Sequence, residues 1–301
     1  MANKESVILT NGKTITGAGI QLEYCIVDTV SMIIGIGTKY CNSLDDYPEH
    51  VRDQAAGAAQ RLLKKIPDVI NAYHSSDDNL PQKYQIDRSK DNIEAKTDVV
   101  VVDSNRKYYK ISVKMSGAVQ LTSTQGVSTA KVFRKVFIAC GVIGLVKMIV
   151  HRKMIEMVHN MPTKLLSQKR YNEAVEKDRK SNLDSVSHMV SNGYIKKEFS
   201  YDSWIEENKP SIVSRIAAIF DTDRRFKKNL IVEAISGSGL HGKDSASTAE
   251  YFLSPTGFHK INKQFANKII DRVSFGIRAK GSKITNRVVF RLDFVNDTVI
   301  D

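Results

Sequence analysis

The sequence predicts an α/β protein, a sheet flanked by helices, and three observations predict it. Apolar residues recur at helical spacing from Pro48 to His74; three strand-like runs follow between residues 84 and 115; and an apolar run from Val136 to Val146 has the length of a buried helix. With 301 residues, 42% of them hydrophobic, the chain can bury a real core, which excludes disorder as its overall state.

Taken in order, the N-terminal stretch carries turn and strand signals: Val7-Ile8-Leu9, then Asn11-Gly12, then Ile15 and the segment Ile20 to Ile26. An opening hairpin is expected. Between Pro48 and His74, the residues Val51, Ala55, Ala58, Leu62, Leu63 and Ile66 form one stripe, with Arg61, Lys64 and Lys65 off it, and Pro67 kinks or ends the helix. After the polar loop Ser75–Asn79, strands are predicted at Tyr84–Ile86, Ile93–Val102 and Lys107–Met115. Helical material resumes near Gly126. Its apolar run is well short of the ~20 residues that a membrane-spanning helix needs, so a core helix and no membrane partner are expected. Residues 161–220 read as helices with a charged, solvated face, and Trp204 as a packing anchor. Two last runs, Arg272–Arg278 and Arg287–Phe294, flank Lys280-Gly281-Ser282-Lys283 as a closing basic hairpin. The expected division is a core with an N-terminal extension over 1–150, then a basic, mostly helical region over 151–301.

Charge separates those parts. Of 45 basic and 33 acidic residues, the first hundred positions hold 11 and 14, so positions 101–301 carry an excess of +15. A polyanion is the natural partner, nucleic acid first among them. Cys25, Cys41 and Cys140 are widely spaced without a Cys-x-x-Cys pair, which argues against a disulfide framework or structural zinc. No secretory signal is visible at the N-terminus, and a reducing, cytoplasmic setting is expected.

The window with chemistry in it runs from Glu94 through Thr97-Asp98 and the valines 99–102, across a short polar turn, to Ser112-Val113-Lys114. An acid begins one strand and a lysine closes the next. Here the sequence resembles the PD-(D/E)XK, or restriction-endonuclease-like, nuclease superfamily, whose signature is an aspartate on one strand and an acidic-x-lysine tripeptide on its neighbour. The resemblance covers residues 51 to 150 and implies a restriction-endonuclease-like mixed central sheet flanked by helices. It also implies Mg²⁺-dependent hydrolysis of DNA, with Asp98 and the Val113 carbonyl as metal ligands and Lys114 orienting and helping to deprotonate the attacking water.

Ser112 departs from the pattern, since most members carry an acid there. A subgroup of type II restriction enzymes also has Ser-Val-Lys, with the acid supplied from a following helix. In this chain no acid follows Lys114 before Glu156, which leaves Glu94 or the distant Glu233 as replacement ligands. Gln120, Lys131, Arg134 and Lys135 are expected nucleic-acid contacts. The rival expectation is a non-catalytic nucleic-acid-binding or phage virion protein that keeps the fold, held in a homo-oligomer or larger assembly.

Gly237-Ser238-Gly239-Leu240-His241-Gly242-Lys243 contains most of a P-loop, but Asp244 stands where Mg²⁺ binding needs Ser or Thr, so a helix C-cap and glycine loop are preferred. The seven histidines, His74 among them, lack ligand spacing and read as structural. Finally, strand alternation puts Asp98 and Lys114 on one face only if Asp98 stands opposite Ser112. That requires an odd connection, Ser104-Asn105-Arg106, with a left-handed residue at Asn105 or Arg106.

Overall fold

The computed structural model describes residues 6–86, 95–114, 118–125, 222–254, 257–280 and 287–294, with the backbone alone for 118–125, 277–280, 287–291 and 294. Glu94, Lys131, Arg134, Lys135, the 136–146 run and residues 161–220 lie outside them.

The N-terminal hairpin forms as expected. Ser6–Ile8 (β1) and Thr14–Thr16 (β2) pair antiparallel, with Val7 opposite Ile15 and both buried. The segment Ile20 to Ile26, read as strand, is instead part of a helix, α1 (Ala18–Ile33). Leu22, Cys25, Ile26, Thr29 and Val30 are all buried at three- and four-residue spacing, and that longer pattern outweighs the β-branched composition of its middle. Asp28, wholly buried, accepts the N–H groups of Lys39 (2.6 Å), Tyr40 (2.9 Å) and Cys41 (3.1 Å) and the hydroxyl of Tyr47 (2.8 Å). One carboxylate thereby ties the following loop to the helix.

The helix predicted from Pro48 ends early, at α2 (Glu49–Lys65), and residues Val69–His74 form strand β3. Pro67 has no N–H to continue the helix, and the β-branched Val69 and Ile70 gain a partner strand instead. Tyr84–Ile86 is not a strand either. Gln82–Tyr84 is one 3-10 turn entered from Pro81, and the Tyr84 ring stacks on Tyr108 at 4.0 Å.

Among the described residues the central sheet has five strands, in the order β3, β4 (Val99–Asp103), β5 (Tyr108–Val113), β7 (Tyr251–Ser254), β8 (Gly257–Lys260). All neighbours are antiparallel except β5 and β7, which are parallel, so the sheet is mixed. A parallel partner needs a crossover connection. Here the crossover holds β6 (Ala118–Gln125), α3 (Arg224–Ser236) and the short α4 (Ser238–His241). The sheet therefore straddles the boundary expected at residue 150: without β7, the edge of β5 would be left unpaired inside the fold.

Val99, Val101, Ile111 and Val113 face one side, where α1 and α2 cover them in a continuous core with Leu253 and Phe258. Val100, Lys110 and Ser112 face the other and are buried as well, Ser112 standing opposite Phe252, whose ring meets Phe265 of α5 (Lys263–Ile269). Burial on both faces explains four consecutive valines in β4. The expected basic hairpin also forms: β9 (Val273–Lys280) and β10 (Arg287–Phe294) pair antiparallel, with β6 completing a separate three-stranded sheet on which α3 packs. Among the described residues no helix is long and apolar enough to cross a membrane.

Candidate functional site

The connection from β4 to β5 sets the geometry. Asp103 accepts the N–H groups of Asn105 and Lys107 and the hydroxyl of Tyr109, each at 2.9 Å, and Arg106 takes the left-handed conformation, with φ of 62°. These contacts hold the Asp103 carboxyl below its ordinary range, the Lys107 N–H first among them. The loop is Ser104-Asn105-Arg106, odd in length as expected. Val99 consequently pairs with Ile111 and Val102 with Tyr108, but the Asp98 N–H also donates to the Ile111 carbonyl at 2.9 Å, so Asp98 leaves the ladder as a bulge at the level of Ile111 rather than standing opposite Ser112.

Asp98 and Lys114 do meet. Asp98 Oδ2 accepts the Lys114 ammonium at 2.9 Å, the Val113 N–H at 2.7 Å and the Ser112 hydroxyl at 3.3 Å. All three donors converge on one oxygen. The other, Oδ1, accepts no hydrogen bond from the described residues. Burial raises the Asp98 pKa to about 6; the ammonium of Lys114 opposes the shift, and the carboxylate of Glu23 adds to it.

Glu23 is the residue the sequence reading missed. It lies on α1, and His74, at the end of β3, reaches its Oε2 with Nε2 at 3.2 Å. The His74 ring stacks on Tyr24 with centroids 3.9 Å apart, and its Nδ1 lies 2.6 Å from the Ser76 Oγ. His74 is thus structural in the sense expected, and it holds an acid whose charge is felt at Asp98. The available signal was a lone acid in the apolar stretch Ile20–Val27, which is noticed only if that stretch is read as helix.

Glu233, offered as a replacement ligand, does other work. Its Oε2 accepts the Gly239 N–H at 2.7 Å and the Ser238 hydroxyl at 3.5 Å, and its Oε1 accepts the Leu240 N–H at 3.0 Å. It closes the turn into α4. Gly237 there is the left-handed C-cap that the sequence favoured, with φ of 69°, and a Cβ at that point would stand 2.8 Å from Lys96 Cγ. The P-loop-like segment therefore aims backbone N–H groups at the chain's own carboxylate, as a phosphate site would aim them at a ligand. Gln120 stands on β6 opposite Arg291 of β10, in the second sheet. Glu94, Lys131, Arg134 and Lys135 are outside the described residues.

For a hard divalent cation the donor set is small but of the right kind. The negative charge of Glu23 is felt at Asp98 and adds to the push of burial toward the neutral acid, the kind of repulsion that a cation would relieve. Thr97, immediately before Asp98, is buried, and its hydroxyl has no hydrogen-bond partner among the described residues. Among the described residues no group of three or more His, Cys, Asp or Glu is placed so that it could hold a metal ion. The chemistry left to the site is that of an open, oxygen-rich corner beside one ammonium.

No protein-family model matches this chain, and no curated protein matches it. Among solved structures, the restriction endonuclease MspI in complex with its cognate DNA is similar at 11% identity and a TM-score of 0.35, over 82% of each chain. A likeness that slight carries no weight beside the geometry above.

Proposed function

We propose that the chain is a divalent-metal-dependent nuclease acting on DNA, with Asp98, Ser112, Val113 and Lys114 at its site and Glu23 as the second acid. The observation that carries this reading is a strand-end carboxylate hydrogen-bonded to a buried serine and to the lysine two residues past it in a mixed sheet, with the charge of Glu23, on a flanking helix, felt at that carboxylate. The strand order supports it too. An antiparallel meander, β3-β4-β5, joined through a crossover to a parallel strand, β7, makes a mixed central sheet, the class of sheet that the resemblance implies.

Asp98, through Oδ1, the Val113 carbonyl and Glu23 are the groups that would hold Mg²⁺, which would supply charge stabilisation to a phosphorane-like transition state. Lys114, tethered to Asp98 Oδ2, presents its ammonium beside that position and orients the attacking water. Ser112 keeps a hydroxyl where an acid is usual; Glu23, held by His74, restores the missing negative charge from another element.

Plasmid nicking tests the reading. The purified chain is expected to cleave in Mg²⁺ or Mn²⁺ and to stop with chelator, with DNA preferred over RNA of the same length. A second reading, a non-catalytic DNA-binding or virion protein, is favoured by one observation, the serine at position 112. It predicts binding that weakens steeply with salt, through counterion release to the basic two-thirds of the chain, and no cleavage in any metal.

A further inference from the structure

A cavity of about 650 Å³ opens beside the candidate site, walled by the β1–β2 hairpin, α1, the loop after α1 and the segment following β3. Its position follows from the backbone. Ser75 N–H donates to the Asp98 carbonyl at 2.9 Å, so the wall formed by residues 76–79 begins at the strand end that carries Asp98. Tyr24, in the same wall, has its hydroxyl 3.0 Å from the Ser76 Oγ and stacks on the histidine that holds Glu23.

The lining combines cations and rings. Lys39 donates to the Ala72 carbonyl at 2.7 Å and to Asn71, and its ammonium lies 3.9 Å from the centroid of Tyr73. Lys13, exposed on the hairpin, stands 5.9 Å from the Tyr24 ring. Tyr40 and Tyr73 are half-buried. Asp77 is internally satisfied: one oxygen accepts the Tyr40 hydroxyl at 2.6 Å and the other the backbone and side-chain N–H groups of Asn79, each at 2.9 Å. Asp78, exposed on the rim, suits the exocyclic amine of a base and opposes a second phosphate.

We propose that this cavity receives one nucleotide of the substrate strand, the neighbour of the scissile phosphate. Its base lies against the rings of Tyr40 and Tyr73, and its phosphate meets Lys13 and Lys39. The volume lies within the range of small-ligand pockets, and base stacking on tyrosine tolerates any sequence. The N-terminal hairpin is then part of the nucleic-acid surface, although the first hundred residues are net acidic. The position next to the scissile phosphate rests on the nuclease reading; the binding itself does not.

The test uses the full chain in calcium, which permits binding to be followed without turnover. Oligodeoxynucleotides carrying 5-iododeoxyuridine at successive positions are irradiated, and the cross-linked peptides are sequenced by mass spectrometry. Tyr40 or Tyr73 is the expected site. In anisotropy titrations Lys13→Glu is expected to bind about five-fold more weakly at low salt and to lower the salt slope by about one, as loss of one phosphate contact requires. Lys64→Glu, on α2, is the charge-matched control and changes affinity by less than about two-fold. Cross-links confined to other peptides, or Lys13→Glu binding like the control, overturn the proposal. Plasmid cleavage by the parent keeps the two readings apart. Cleavage without these cross-links removes the cavity alone, whereas cross-links without cleavage remove the nuclease and leave a nucleotide-binding cavity.

Discussion

Asp98 and Glu233 are both buried acids that burial pushes toward the protonated form, and both belong to segments whose sequence suggests phosphate chemistry. They differ in who satisfies them. Glu233 gives both oxygens to N–H groups of its own turn, those of Gly239 and Leu240, and so spends its hydrogen-bonding capacity on holding the chain. Asp98 receives three donors on one oxygen, among them an ammonium, and a second acid stands near enough to disfavour its charge. One carboxylate is closed on both oxygens, and the other keeps Oδ1 without a donor among the described residues. A buried carboxylate with a shifted pKa therefore points to function only when its partners leave it incomplete.

The sharpest way to break this contrast is by cleavage. Lys114→Ala and Asp98→Asn are each expected to lower metal-dependent nicking by about 10³-fold, within the range for positioned proton-transfer and charge-stabilising groups. Glu233→Gln should leave the rate per folded molecule unchanged. Equal losses at both acids would erase the distinction.

Stability against pH is the next largest effect. Folding raises the Asp98 pKa from its ordinary 3.8 to about 6, so the folded state favours the protonated acid. That contribution is fully present below pH 4 and lost as pH rises through 6. Asp98→Asn, which cannot ionise, is expected to be more stable than the parent at pH 8, by up to about 3 kcal/mol, and to match it near pH 4. Thermal unfolding at the two pH values decides it, and a variant less stable at pH 8 would refute the assignment of strain to this acid.

Glu233→Ala should act in the opposite direction, destabilising by about 2 kcal/mol because two backbone N–H groups lose a charged acceptor. Denaturant midpoints measure that loss. The smallest expected effect belongs to Glu23→Gln, about a ten-fold weakening of Mn²⁺ binding by calorimetry, with cleavage recovered at higher metal concentration. Unchanged metal affinity would remove Glu23 from the site and return weight to the non-catalytic reading.

The β4–β5 hairpin was legible because its rules are local. Alternation with period two, an acid at one strand end and a lysine at the other, and the need for one face to hold both specify an odd turn, and Ser104-Asn105-Arg106 with Arg106 left-handed is that turn. The glycine cap after α3 was legible for the same reason. Local composition misled at Ile20–Ile26 and Val69–His74, where helix and strand propensities differ by less than the free energy of packing against neighbours.

What the sequence by itself determined, then, is the pairing of Asp98 with Lys114, since sixteen residues and one short turn leave few ways to join them. The tertiary structure alone decided that Glu23, from a helix the local pattern did not announce, would make its charge felt at Asp98, held by His74 through a contact spanning fifty-one residues. It alone decided that β7 would run parallel to β5 after a crossover, and that Glu233 would turn inward. Such arrangements depend on which surfaces bury one another, and a side chain's partner across the fold leaves no periodic mark in the segment that carries it.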